Sequence, residues 1–271
     1  MAAQGRVALV TGASTGIGRE SALALVAQGF TVVGTSRRAS TAPNVAGVTF
    51  LDLDVTSAES VDATVASLLA AHGRLDVLVN NAGLGSSGAA EETSIEHVQT
   101  LFDTNVLGVM RVTNAVLPTM RAQKSGRIVN ISSIVGLIPQ PYMAAYSATK
   151  HAIEGYSESL DHELREFGIR VALVEPAWTR TSFASSILRS QQPLLAYSAQ
   201  RQVFEEYMAG AVRDGDDPAV VAKAVVAAAT DTTPGLRYAG SRRTATVSAL
   251  RRFVPARMFD KQVRTLNKLP A

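Results

Sequence analysis

Tyr146 and Lys150 stand four residues apart in Tyr146-Ser147-Ala148-Thr149-Lys150, so on a helix a phenol and an amine lie one turn apart on one face. A free phenol titrates near pH ~10, too high for a good base at neutral pH. A neighbouring ammonium group and a helix amino terminus both favour the phenolate. Lowering the phenol by about three units takes roughly 4 kcal/mol of differential interaction, which a partly dry cleft can supply. Such a pair could pass a proton to or from a substrate oxygen, although alone the spacing is a weak signal. Two further places add to it. Ser132 and Ser133 follow Asn130-Ile131 at the end of an apolar run, where Ser133 could hydrogen-bond that oxygen. Asn105 is a polar residue inside an otherwise apolar helical pattern, and Asn80-Asn81-Ala82-Gly83 closes another apolar run.

A second kind of chemistry is written near the start, in Thr11-Gly12-Ala13-Ser14-Thr15-Gly16-Ile17-Gly18. Glycines are needed where a chain turns tightly, approaches a pyrophosphate and packs a helix on a strand. Gly12, Ser14, Thr15, Gly16 and Ile17 fall between an apolar strand and an apolar-spaced helix, whose free N–H groups suit phosphate. In NAD-binding sheets an acid about 20 residues past the glycines accepts the ribose 2′-hydroxyl. Here the second strand runs into Ser36, Arg37 and Arg38 instead. A guanidinium binds a 2′-phosphate that an acid would repel, so the expected cofactor is NADP(H), with Arg37 as clamp and Ser36 as donor. The alternative is that both arginines are solvated loop charges.

The elements that must position these groups follow from periodicity. Val/Ile/Leu-rich runs at 6–11, 31–36, 48–51, 75–80, 126–131, 169–175 and 236–239 look like strands buried on both faces. Helical patterns at 17–28, 57–72, 95–121, 144–167, 198–213 and 218–230 alternate with them. The expectation is an α/β protein: a Rossmann-type doubly wound parallel β-sheet with helices on both faces, a three-layer sandwich. No repeat or linker divides the chain, so 1–271 reads as one domain. Residues 179–199 form a candidate mobile substrate loop, and about 241–271 a basic tail.

Composition excludes several classes. Of 271 residues 46% are hydrophobic and 18% charged, which argues against disorder. With no cysteine, disulfides, thiolate metal sites and cysteine nucleophiles are ruled out, and a reducing, cytoplasmic setting is the expectation. The four histidines form no ligand-spaced cluster, so no metal is expected. The apolar stretch Val7–Val10 is too short for a signal-peptide core. Net charge is +3, unevenly spread: between 237 and 268 nine Arg and Lys face only Asp260, leaving +8 there and −5 elsewhere.

From Val7 to about Tyr238 the chain resembles the short-chain dehydrogenase/reductase family, weakly its hydroxysteroid/retinol branch. The matches are the Thr-Gly-x-x-x-Gly-x-Gly turn, Asn-Asn-Ala-Gly, Asn105, Ser133 thirteen residues before the tyrosine, and Tyr-x-x-x-Lys. The resemblance implies an oxidoreductase moving hydride between NADP(H) and a carbonyl/alcohol pair. It makes Tyr146 the proton-transfer residue, Ser133 the group that polarises the carbonyl, and Lys150 the partner of both Tyr146 and the ribose. Asn105 would hold a water linking Lys150 to solvent. Asp54 and Val55 would meet the adenine, Asn81, Ala82 and Gly83 the adenosine, and Pro176 and Thr181 the carboxamide, with Thr179 assisting. Ala177 departs from the family's usual glycine.

Apolar residues at 134–143, Trp178 and 183–195 suggest a small hydrophobic carbonyl or alcohol as substrate, although many of them must also pack the core. Two other readings remain: an NADPH-binding redox sensor without turnover, and a sugar-nucleotide epimerase or dehydratase of the same fold. Nucleic acid is not an expected partner, since the basic segment lacks interleaved aromatics. The tail reads as a docked helix with a solvated basic face, with membrane-surface contact as its alternative. A homodimer or homotetramer is implied by analogy.

Overall fold

Runs rich in β-branched residues cannot lose χ1 freedom cheaply in a helix, and here they form a seven-stranded sheet. The computed structural model describes residues 5–269, so the outermost ends of the expected 1–271 domain and of the tail lie outside the described residues. In chain order the elements are β1 (Val7–Val10), α1 (Gly16–Ala27), β2 (Thr31–Ser36), β3 (Val48–Asp52), α2 (Ala58–His72), β4 (Val77–Asn80) and β5 (Gly85–Ser87). Then come α3 (Ile95–Phe102), α4 (Gly108–Gln123), β6 (Gly126–Ile131), α5 (Ala144–Leu164), β7 (Ile169–Glu175) and β8 (Ile187–Arg189). The chain ends with α6 (Ser198–Arg213), α7 (Pro218–Thr230), β9 (Arg237–Ala239), α8 (Arg242–Phe253) and α9 (Ala256–Leu266).

The main sheet has the order β3-β2-β1-β4-β6-β7-β9, and every pairing in it is parallel. On one face Ala22 and Leu25 of α1 and Val221 and Val225 of α7 cover Ala8, Val10, Val79 and Val174. On the other, Val65 and Leu68 of α2, Val112 and Val116 of α4 and Leu160 of α5 cover Leu9, Leu78 and Val171. Each such side chain buried is worth about 1.5–3 kcal/mol, which is why the strands read as unbroken apolar runs. The doubly wound three-layer architecture is therefore present. Strand order reverses at β1, between β2 and β4, and a ligand crevice forms at the carboxyl ends there.

Four features differ from the sequence expectation. The helix expected over 95–121 is α3 and α4 joined through a π turn at Asp103–Leu107, which carries Asn105. The loop expected at 179–199 contains β8, paired with β5 in a small second sheet. Two strands of three residues, Gly-Ser-Ser and Ile-Leu-Arg, are too short to give a periodic signal. That loop is also tied down at Glu92, which accepts from Leu194 N (2.7 Å) and pairs with Arg201, and at Glu91, which accepts from the Tyr197 hydroxyl (2.7 Å). Finally, the tail is two helices rather than one. Val254 takes an extended conformation (φ −82°, ψ 133°), as a residue before proline prefers, and Pro255 cannot continue the helix. Among the described residues no helix is long and apolar enough to cross a membrane.

Candidate active site

The glycine turn leaves β1 with Gly12 and Gly16 at positive φ (64° and 56°), a conformation that glycine adopts without strain. Thr11, which sequence reasoning passed over, organises it. Its hydroxyl accepts from Asn81 N (2.9 Å) and Ala82 N (3.0 Å). The Asn81 amide in turn donates to the carbonyls of Thr11 (2.9 Å) and Gly12 (3.0 Å). Asn81, expected at the adenosine, therefore lines the cleft while stitching the ends of β1 and β4 together. Gly18 is the tightest point: a Cβ there would lie 2.4 Å from both the Asn81 amide nitrogen and the Gly12 carbonyl oxygen. Gly18→Ala should thus destabilise the fold by about 1–3 kcal/mol and weaken dinucleotide binding. Paired thermal melts and cofactor titrations check this; an unchanged melt and affinity would contradict the close approach.

The residues fit a phosphorylated dinucleotide. α1 starts at Gly16 with no side-chain cap from Thr15, so its first N–H groups are free to meet an anion. At the end of β2 the Ser36 hydroxyl is buried without a hydrogen-bond partner, which is costly unless a ligand satisfies it. Beside it Arg37 is exposed and forms no ion pair among the described residues. Asp54 lies below the usual carboxylate range, chiefly because its Oδ1 accepts from the Thr56 hydroxyl (2.7 Å) and amide (2.9 Å). Ser14, Thr15, Ile17, Asp54, Val55, Ala82, Gly83, Pro176, Thr179 and Thr181 all line the same cleft of about 830 Å³.

The cleft continues to the first turn of α5. Tyr146 and Lys150 are both buried (8% exposed), and Tyr146 shares the cleft wall with Ser133. The Lys150 ammonium donates to the Ile131 carbonyl (2.9 Å) and sits 5.7 Å from the Tyr146 ring centre. Burial pushes Tyr146 up to about 12, with Ser133 opposing, and pushes Lys150 down to about 8, with Glu154 opposing. The sequence argument expected the amine to pull the phenol down. Here desolvation dominates both groups, and Lys150 spends one donor on the backbone. The phenol consequently stays protonated at neutral pH.

Asn105 lies beneath the cleft, not on its wall. The π turn aims its side chain at the backbone of Leu84, accepting from its N–H (2.8 Å) and donating to its carbonyl (2.8 Å), and it donates to the Thr149 hydroxyl (3.2 Å). It therefore braces α5 one residue before Lys150, and its hydrogen bonds go to Leu84 and Thr149 rather than to Lys150 or Tyr146.

Sequence reasoning missed a charge cluster behind the serines. Ser132 donates to Glu154, which is one helical turn beyond Lys150 and pairs with Arg237. Arg237 also reaches Glu175 (3.1 Å) and Glu158 (2.5 Å). Desolvation raises buried Glu154, and raises Glu175 to about 7. The acid at i+4 from Lys150 was a visible signal. Arg237, counted with the basic tail, instead covers the buried Glu154 and Glu175 from a partly exposed position.

Towards solvent the cleft is apolar. Val135, Met143, Phe204 and Met208 are buried around Tyr146, with Ile134, Trp178, Phe183 and Ile187 packed against them. Leu137, Ile138 and Leu188, expected on this wall, are not on it, whereas Met208 and Val212 of α6 are. Behind the wall, Tyr142 holds a left-handed conformation (φ 63°) and stacks on Phe204 (5.6 Å).

Known proteins share this arrangement. The short chain dehydrogenase family profile matches residues 6–192. The 3-ketodihydrosphingosine reductase of Bacteroides thetaiotaomicron is 45% identical over 183 residues, covering 68% of this chain and 67% of that one. A crystallised short-chain dehydrogenase from Streptomyces avermitilis superposes with a TM-score of 0.82 at 37% identity, covering 98% of this chain and 96% of its own. A metagenomic short-chain oxidoreductase solved in complex with NADP gives 0.69 at 31% identity, covering 86% and 96%. A match spanning the glycine turn, both serines and the Tyr-Lys helix, on the same parallel sheet, leaves one conclusion: the chain belongs to the short-chain dehydrogenase family of oxidoreductases.

Proposed function

We propose that the protein interconverts a hydrophobic carbonyl compound and its alcohol with NADP(H), Tyr146 carrying the proton. The observation behind this is the buried Tyr146, with Ser133 and Lys150, on the wall of a cleft that begins at the glycine turn. A bound dinucleotide supplies hydride from its nicotinamide. The backbone at Gly12, Ser14, Thr15, Gly16 and Ile17 holds its phosphates. Asp54, Val55, Asn81, Ala82 and Gly83 flank its adenosine, and Pro176, Thr179 and Thr181 meet its carboxamide end.

In the reducing direction Tyr146 gives its proton to the carbonyl oxygen as negative charge develops there. Ser133 supplies that oxygen with a second hydrogen bond. Lys150, with two donors left after Ile131, stabilises the phenolate and offers a hydrogen bond to a ribose hydroxyl. Asn105 acts through α5. One lone pair of its Oδ1 remains for a water on the path to Lys150. The apolar wall around Val135, Met143 and Met208 excludes water and favours a hydrophobic substrate over a sugar nucleotide. A chain with both Tyr and Lys in place is equipped for turnover, unlike a sensor that only binds.

NADP(H) is favoured over NAD(H) because the unsatisfied Ser36 hydroxyl and unpaired Arg37 offer a donor and a cation where an acid would otherwise stand. Arg37→Asp should shift the ratio of kcat/KM for NADPH over NADH by about 10- to 100-fold toward NADH, the worth of a hydrogen bond to a charged group. An unchanged ratio refutes the clamp. The reading as a whole is tested by following nicotinamide absorbance across hydrophobic ketones, aldehydes and alcohols, with sugar nucleotides as controls. Cofactor binding without turnover of any hydrophobic carbonyl or alcohol would end it. We also read the chain as one catalytic domain in a cytoplasmic homodimer or homotetramer, for which sedimentation analysis is the check.

A further inference from the structure

The C-terminal helices carry a surface that the oxidoreductase reading does not use. α8 and α9 leave four large apolar side chains exposed: Leu250, Phe253 (79% exposed), Met258 (64%) and Leu266. Buried tails are unlike this: only Thr244 of the two helices is fully enclosed. In α9, Met258, Phe259, Val263 and Leu266 fall on one side at helical spacing, and Arg257, Lys261 and Arg264 on the other. In α8, Arg243, Thr246, Leu250 and Phe253 recur at helical spacing along an exposed side. Guanidinium groups lie over the aromatic rings, Arg251 on Phe259 (4.9 Å) and Arg252 on Phe253 (5.9 Å), so, contrary to the sequence reading, aromatics are interleaved with the basic residues, and the two helices are tied to each other.

The charge on this surface selects its partner. With Arg237 engaged by Glu154, Glu158 and Glu175, 242–268 still carries eight basic residues against Asp260, while the rest of the chain is acidic on balance. A like face on a second copy would be repelled by that charge, so a symmetric contact between two tails is disfavoured. A simple polyanion would need the arginines and lysines but not four exposed apolar side chains. A surface that is both anionic and apolar just beneath the charge satisfies both halves: this is the combination found at the headgroup level of an anionic bilayer. We propose that α8 and α9 form a peripheral docking surface for anionic lipid bilayers. The helices lie in the interface plane, Leu250, Phe253, Met258 and Leu266 enter the acyl boundary, and the basic side chains meet lipid phosphates. The Gln140 amide donates to Asn267 (2.5 Å), so the docked face is joined to the segment after Ser133 that walls the cleft.

The test is cosedimentation of the full chain with vesicles of phosphatidylglycerol and phosphatidylcholine, against vesicles of phosphatidylcholine alone. Binding to the anionic vesicles is expected at low salt, weakened by raising ionic strength. Phe253→Ser with Met258→Ser should reduce partitioning at least about tenfold, and Lys261→Glu with Lys268→Glu should do so by a similar factor. Circular dichroism and thermal melts establish that the variants remain folded, and NADPH titration that the body is intact, so the outcome does not depend on turnover. Absence of binding to anionic vesicles overturns the proposal. So does binding unaffected by the serine variant, which would make the surface a general polyanion site. A fall in oligomer size with the serine variant, read by light scattering, overturns it in favour of a contact between copies.

Discussion

Tyr146→Phe should lower kcat for carbonyl reduction by about 10²- to 10⁴-fold while leaving NADPH affinity and melting temperature nearly unchanged. The substitution removes one hydroxyl on the cleft wall that Tyr146 shares with Ser133, and it keeps the ring that packs 6.0 Å from Phe183. Loss of activity together with loss of the fold would say nothing about chemistry, so the melt is measured on the same sample. Retained turnover would remove Tyr146 from the proton-transfer step. The pH profile carries a further expectation. Tyr146 is pushed up to about 12 and Lys150 down to about 8, so it is the lysine that changes charge in the working range. Reduction should be flat below about pH 7 and fall as pH rises through 8, when the ammonium that stabilises the departing phenolate is lost. A profile that stays level to pH 10 would contradict that role for Lys150.

Arg237→Met should destabilise the protein by about 3 kcal/mol at pH 8 and much less at pH 5, because it strands carboxylates that Arg237 now neutralises. The sign follows from Glu175, whose pKa is raised from 4.5 to about 7 by burial and by Glu154. Between those values the folded chain holds a proton that the unfolded chain releases, so stability falls as pH rises through that window. Without the guanidinium both carboxyls resist ionisation further, which deepens the loss at alkaline pH and spares the acid side. Urea denaturation of both proteins at pH 5 and pH 8 reads the difference; an equal loss at both would mean that the arginine contributes packing rather than charge. The same variant frees Ser132 from a fixed partner, since Glu154 links that serine to Arg237 beside the Ser133 turn.

Much of this protein was legible before folding because its chemistry is local. The glycine turn, Tyr146 with Lys150, and the two serines after Ile131 are each confined to a few consecutive residues, and strands buried on both faces announce themselves as apolar runs. Parallel order also follows, since alternating strand and helix patterns leave few other ways to cover both faces. The same logic explains why the seven strands of the main sheet were readable, whereas β5 and β8, three residues each and paired across a hundred positions, were not.

What only the tertiary structure decided is everything that depends on which distant groups share a dry volume. Lys150 was expected to acidify Tyr146, but burial of both reverses the direction, and burial is a property of the packed chain. Asn105 was readable as an oddity in a helix; the π turn determined that it would brace Leu84 and Thr149. Arg237 looked like the first residue of a basic tail and became the partly exposed counter-ion of buried carboxylates on α5 and β7. Residue type and spacing determine which bonds a side chain can make. Desolvation and long-range pairing, which arise when segments far apart in sequence exclude water together, determine which of them it does make and what charge it carries while making them.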